Sequence, residues 1–200
     1  MPADARRLSG ESIQGVCEIE EFAAHGAGRD RKPARLLIEV PHGATTATHF
    51  AALRRRLRGS YPDDLREFYF VNTDVGAPET AREIARRVSM GLAGTAPATV
   101  RVVRCLIPRT FIDVNRVLDA GTPDYHATGL TPGLPEWVAD PVDRKTLRSL
   151  YDAYQKVARE AFDAVCGAGG LALTLHTGIS VVQGLHQVAQ KFRSTILPRY

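Results

Sequence analysis

Long apolar runs are missing from this 200-residue chain. None approaches the roughly 18–20 consecutive residues that a membrane-spanning helix needs. The opening MPADARRLSGES holds no apolar stretch, so no secretory leader is expected, and the cytoplasm is the expected location. Cysteine is scarce. Cys17, Cys105 and Cys166 are scattered and odd in number, which excludes a disulfide framework and a thiolate zinc cluster. They read as small hydrophobes. Any metal site must therefore draw on histidine and carboxylate. Internal repeats, low-complexity segments and a second domain are also lacking, so one α/β domain over residues 1–200 is expected.

What is present is ordinary globular composition, 44% hydrophobic and 24% charged, which argues against disorder. The formal net charge of +4 rests on arginine, in runs such as Arg54-Arg55-Arg56 and Arg86-Arg87. Both runs fall on amphipathic helical segments, where a solvated face is the simpler reading. No nucleic-acid motif accompanies them, so neither nucleic acid nor membrane is an expected partner. A basic surface would instead steer an anionic substrate.

Residues 1–10 read as a flexible lead-in. Ser12 to Glu20 partly alternates, as an edge strand does, and His25 to Pro33 is a Gly-rich loop. Arg35 to Val40 is a short apolar run ended by Pro41, a buried strand. Thr45 or Thr46 caps a helix to about Arg58. Phe68-Tyr69-Phe70-Val71 reads as a second strand, followed by a helix from about Pro78 through Val88. Val100 to Ile107 is rich in β-branched residues, a third strand. A Pro- and Gly-rich loop over 119–140 precedes the longest helix, which opens at Pro141 or Asp143 and ends at Gly167. Leu171 to Leu175 forms the last strand, ending at His176, with a short helix in the remainder. Strands alternating with helices predict a mainly parallel mixed sheet with helices on both faces.

In open α/β sheets ligands gather beyond the carboxyl ends of the strands. Those ends carry Pro41-His42-Gly43, then Thr73-Asp74, then Arg109 with Asp113, Asn115 and Arg116, then His176-Thr177-Gly178. Two histidines and a carboxylate form a common zinc ligand set that leaves a fourth position open. His42, His176 and Asp74 are the candidates, with Glu79 as the reserve carboxylate. Asp74 has an alternative role as cap of the following helix. His49 reads as surface or packing, and His126 lies in the long loop. Arg109, Arg116 and Asn115 offer donors for a substrate carboxylate. Asp113 would hold an arginine or support a ligand histidine. A purely structural ion-pair cluster is the alternative for this segment.

These segments together resemble a known family. The ordered set Glu39-Val40-Pro41-His42-Gly43, Thr73-Asp74-Val75-Gly76-Ala77, Arg109-Thr110-Phe111-Ile112-Asp113-Val114-Asn115-Arg116 and Leu175-His176-Thr177 is similar to the N-formylglutamate amidohydrolases. Its Asp-Val-Asn-Arg segment also resembles the Asp-Leu-Asn-Arg motif of zinc carboxypeptidases and aspartoacylase-like enzymes. The resemblance spans about residues 35–180. It implies a three-layer α/β/α sandwich of the phosphorylase/hydrolase-like kind. It implies Zn2+ held by His42, His176 and Asp74. It implies that Asn115 and Arg116, with Asp113, bind the substrate carboxylate, and that Arg109 polarises the scissile carbonyl or assists that binding. The reaction would be hydrolysis of a small anionic N-acyl amino acid or peptide. Such enzymes use a glutamate late in the fold as general base, whereas no Asp or Glu follows Asp163 here. The expectation is therefore a domain lacking its C-terminal part, a different base, or a binder that keeps the carboxylate pocket without turnover. A zinc peptidase or cell-wall amidase is the other enzymatic alternative.

Overall fold

A computed structural model describes residues 6–9, 12–23, 33–91, 96–118, 133–182 and 185–193, with side chains described over 12–23, 33–91, 96–118 and 133–177. The strands are β1 (Arg6–Ser9), β2 (Cys17–Ala23), β3 (Leu36–Val40), β4 (Val100–Cys105), β5 (Leu171–Val182) and β6 (Leu185–Arg193). The helices are α1 (Ala47–Arg54), α2 (Leu65–Val71), α3 (Ala77–Met90) and α4 (Pro141–Cys166). The sheet order is β1-β2-β4-β3-β5-β6. Strands β4, β3 and β5 run parallel, β2 joins β4 antiparallel, and these four make the expected mainly parallel mixed sheet. Antiparallel β1 and β6 extend it at the two edges.

Side-chain alternation along the central strands sends two apolar sets to opposite faces. Leu37, Val103 and Cys105 meet α1, α2 and α4 in one cluster. Ile38, Val40, Val100, Val102 and Leu175 meet Ala77, Ala81 and Ala85 of α3 in the other. The architecture is an α/β/α sandwich. Small residues along α3 let it lie close on the sheet. Along α4, Leu147, Leu150, Tyr154, Ala158, Ala161 and Val165 form one buried stripe at helical spacing. Each fully buried large side chain of that stripe contributes about 1.5–3 kcal/mol. The start of α4 is set by Asp140, whose carboxylate accepts from the backbone N–H of Val142 and Asp143, with Pro141 in the first turn. None of the described helices is long and apolar enough to cross a membrane.

Several local expectations are corrected. Phe68 to Val71 lies in helix α2, not in a strand. Leu65 and Tyr69, one helical turn apart, are its buried residues, while Phe68 and Phe70 are exposed at one edge. Four consecutive apolar residues therefore concealed a helical stripe. Residues 6–9 pair as β1 rather than forming a lead-in. The strand expected from Ser12 begins at Cys17 as β2, second from the edge, and Ile13 only bridges back to it. Helix α1 stops at Arg54, short of Arg58, with Thr46 as its cap. Strand β5 continues through His176 to Val182, and β6 takes the place of the expected short C-terminal helix. The loop at His25 lies outside the described residues, as does His126.

Candidate metal centre

The turn that carries His42 leaves β3 at Pro41 and is fixed by its backbone carbonyls. The Arg104 guanidinium donates to Gly43 O at 2.7 Å. The Tyr69 hydroxyl donates to Ala44 O at 2.6 Å and Thr46 O at 3.0 Å, and the Thr73 hydroxyl donates to Ala44 O at 2.8 Å. Elements β4 and α2 thus grip the same five-residue turn. Gly43 is required for close approach, since a Cβ there would meet Arg104 Cγ, with Cys105 O at 2.9 Å and Val40 O at 3.1 Å.

Asp74 comes from the turn between α2 and α3 instead of from a strand end. Gly76, with φ of 84°, supplies the left-handed residue that turns the chain into α3. Gly76 is also the helix cap, so the Asp74 carboxylate does not cap α3. It faces the two histidines. His176 projects from β5 two residues beyond Thr174, the last residue of β5 paired with β3. The Thr177 hydroxyl donates to Val75 O at 2.8 Å and ties β5 to the Asp74 turn.

Three ligand-type atoms converge here. His42 Nδ1 lies 3.4 Å from Asp74 Oδ2, and His176 Nδ1 lies 3.0 Å from the same oxygen. The two imidazole centroids are 4.9 Å apart. Ligands held at about 2.1 Å in a tetrahedral set sit about 3.4 Å from one another. The spacing therefore fits one small cation. The other ring nitrogen of His42, Nε2, donates to Asp113 Oδ1 at 2.9 Å. That bond leaves the lone pair of the neutral ring on Nδ1. Nδ1 is buried and makes no well-formed hydrogen bond; it faces the Asp74 carboxylate at 3.4 Å, and a lone pair there meets an anion unless a cation lies between them. His42, Asp74 and His176 form a group able to hold a metal ion. Glu79, the reserve ligand, is exposed on α3 and belongs to no such group among the described residues.

Asp113 organises the centre from behind. It is buried, and Oδ1 also accepts from the Asn115 backbone N–H at 2.9 Å. Its other oxygen accepts from Arg109 at 3.1 Å and from Arg116 at 3.3 Å. Both oxygens are engaged, so Asp113 supports His42 and two arginines. Arg109 also stands 4.0 Å from Asp74. Helix α4 steadies this segment, with Gln155 donating to Val114 O at 2.6 Å and Tyr151 to Arg116 O at 2.8 Å. Asn115 is exposed, and its amide lies 3.5 Å from His176 Nε2. The structure thus brings Arg109, Asn115 and Arg116 to the metal group, with both guanidinium groups partly open to water.

The charges are strongly coupled. Burial alone would raise the Asp74 carboxyl, but the hydrogen bond from His176 and the facing His42 outweigh it and hold it at about 2. Burial would likewise raise Asp113, and His42, Arg109 and the Asn115 N–H pull it well below the carboxylate range. Burial disfavours the charged form of His42, yet Asp113 and Asp74 together push its pKa up. Two carboxylates against two guanidinium groups leave the cluster near neutral, so a divalent cation would make it attractive to an anion.

Two residues take structural roles at the site that the sequence does not reveal. Glu39 accepts from the Tyr154 hydroxyl at 3.0 Å and from the Thr174 hydroxyl at 3.1 Å, beneath the two histidines. Its position three residues before His42 was the available signal. Arg104, one of many arginines, gave none. His49 is a capping residue: its Nδ1 faces the Thr46 N–H at 3.3 Å, and its own N–H bonds Thr46 Oγ1 at 3.4 Å.

No family model matches the chain, and no curated protein matches it. Among solved structures, the crystal structure of gene product Atu2144 from Agrobacterium tumefaciens is similar, with a TM-score of 0.48 and 17% identity. The match covers 77% of this chain and 56% of that one, so the chain spans little more than half the length of that structure.

Proposed function

We propose that this chain is a zinc-dependent amidohydrolase that cleaves the amide bond of an N-acyl amino acid of the N-formylglutamate kind, in the cytoplasm. One observation carries the reading: the buried Nδ1 of His42, without a well-formed hydrogen bond, faces Asp74 at 3.4 Å while His176 meets the same carboxylate at 3.0 Å, a ligand spacing. The ordered motifs around His42, Asp74, Asn115-Arg116 and His176 support the substrate class. His42, Asp74 and His176 would hold the zinc ion, which when bound would supply Lewis-acid polarisation of an amide carbonyl and activation of water.

The chain's own groups do the rest. Asp113 fixes the tautomer and angle of His42. Asn115, beside His176, and Arg116, held by Asp113, would bind the substrate carboxylate. Arg116 engages Asp113 through Nε, which leaves the outer nitrogens of its fork as donors for that carboxylate. Arg109, between Asp74 and Asp113, would stabilise charge developing on the carbonyl oxygen.

A second reading is a binding protein without turnover. It is favoured by the state of the carboxylates near the centre: Asp113 and Glu39 each have both oxygens engaged in hydrogen bonds. Zinc analysis of the purified chain, followed by release of formate or free amino acid from a panel of N-acyl amino acids and peptides, separates the readings. Zinc with release from N-acyl amino acids supports the amidohydrolase. Release from peptides alone makes it a peptidase, and zinc without any release makes it a binder. A metal-free protein under zinc-replete conditions removes all three.

A further inference from the structure

Glu39 points to the α4 side of the sheet, the same side as Thr174 and His176 on β5, since alternate residues of a strand share a face. It stands opposite Thr174 in the last pair of the β3–β5 ladder. Beyond that pair the two strands separate, β3 running three residues to His42 and β5 two residues to His176. The Glu39 carboxylate spans this fork. One oxygen takes the Thr174 hydroxyl at 3.1 Å, and the other takes the hydroxyl of the fully buried Tyr154 on α4 at 3.0 Å. One carboxylate thus ties β3, β5 and α4 together immediately below both histidines.

Its charge is also unbalanced. Among the described residues no lysine, arginine or histidine forms an ion pair with Glu39. Burial pushes its carboxyl up, and the two hydroxyl donors and the fields of His176 and His42 oppose that. A carboxylate kept partly from water without a counter-ion is costly unless a positive charge arrives nearby. The natural place for that charge is the cation position between His42, Asp74 and His176.

We propose that Glu39 is a positioning residue of the cation site, setting the gap between His42 and His176 through Thr174 and Tyr154 and balancing the charge of the bound ion. The inference rests on the reading of His42, Asp74 and His176 as a metal centre. It makes Glu39 a determinant of metal affinity and coordination geometry that never touches the ion.

The test uses the full chain stripped with a chelator and titrated with Co2+, whose visible absorption reports coordination geometry, followed by competition with Zn2+. Glu39→Gln keeps the shape and removes the charge. The expected result is at least a tenfold loss of affinity and a displaced visible spectrum, the size seen when a group supporting a metal ligand is removed. Asp143→Asn is the control for general loosening, because Asp143 holds Arg58, Gly59 and Tyr61 at the start of α4. It should lower the melting temperature and leave both Co2+ readouts at wild type. Tyr154→Phe removes one of the two donors and serves if Glu39→Gln does not fold; it should shift both readouts in the same direction. Wild-type affinity and spectrum in Glu39→Gln, or in Tyr154→Phe where it stands in, overturn the inference and leave the metal centre intact. So does an equal change in Asp143→Asn. Failure of the wild type to bind Co2+ or Zn2+ overturns the metal centre itself, and the inference with it.

Discussion

Replacing Asp113 by asparagine perturbs the centre without changing its shape. The remaining carbonyl oxygen can still accept from His42 Nε2 and the Asn115 N–H, both now at 2.9 Å. The other oxygen becomes an NH2 group facing two donors, Arg109 at 3.1 Å and Arg116 at 3.3 Å. Two charge-assisted hydrogen bonds are lost, each worth roughly 1.5–3 kcal/mol. The guanidinium groups are 20% and 25% exposed, so water recovers part of the loss and the lower end applies. The expected destabilisation is about 3 kcal/mol, or roughly 6–12 °C in melting temperature for a domain of this size. The effect must also depend on pH. The Asp113 carboxyl sits below its unfolded value of about 3.9. Its stabilisation is therefore fully present above that value and is lost as pH falls towards the folded pKa. Urea unfolding of chelator-treated wild type and Asp113→Asn should show the full gap at neutral pH and a narrowing gap below about pH 4. A gap under about 0.5 kcal/mol at neutral pH, typical of an ordinary surface substitution, would refute the assigned role. So would a gap that ignores pH.

Further outcomes follow from the same geometry. Gly43→Ala places a methyl group against Arg104 and the Cys105 carbonyl, so it should cost about 1–3 kcal/mol and weaken metal binding by moving the His42 turn. Thermal melts with and without zinc read both effects. Arg116→Ala should raise KM for a carboxylate-bearing substrate with a smaller change in kcat, whereas Arg109→Ala should lower kcat; steady-state kinetics on one N-acyl amino acid distinguish them. His49→Ala should leave zinc stoichiometry unchanged and cost about 1 kcal/mol through the lost cap, measured by denaturation.

The parts of the fold legible in the sequence are those where local pattern and burial agree. Strands β3 and β4 are β-branched or leucine-rich runs bounded by turn residues, and α4 shows a buried stripe from Leu147 to Val165 at helical spacing. Helix α2 is not legible because the stretch Phe68 to Val71 is apolar at every position, and only tertiary packing reveals Tyr69 as the inward residue. Asp74 nevertheless joins the two histidines, since a short helix delivers it to the same end of the sheet as a strand would. Strands β1 and β6 are edges whose formation depends on their neighbours rather than on a strong pattern of their own. In the site, the residue types were readable but their division of labour was not. Nothing in Asp-Val-Asn-Arg says that Asp113 is spent on His42 and the arginines while Asn115 stays exposed. Likewise, Glu39 and Tyr154 are separated by 115 residues, and only the packing of α4 on the sheet joins them.

The central claim is that His42, Asp74 and His176 bind one metal ion. The direct measurement is the zinc content of the purified chain, and of His42→Ala and His176→Ala, by elemental analysis, together with a zinc-soaked crystal structure. The account predicts one equivalent of zinc in the wild type, loss in both variants, and the three side chains at about 2.0–2.2 Å from one metal atom. Zinc retained in both variants, or a wild type that takes up none, would contradict it.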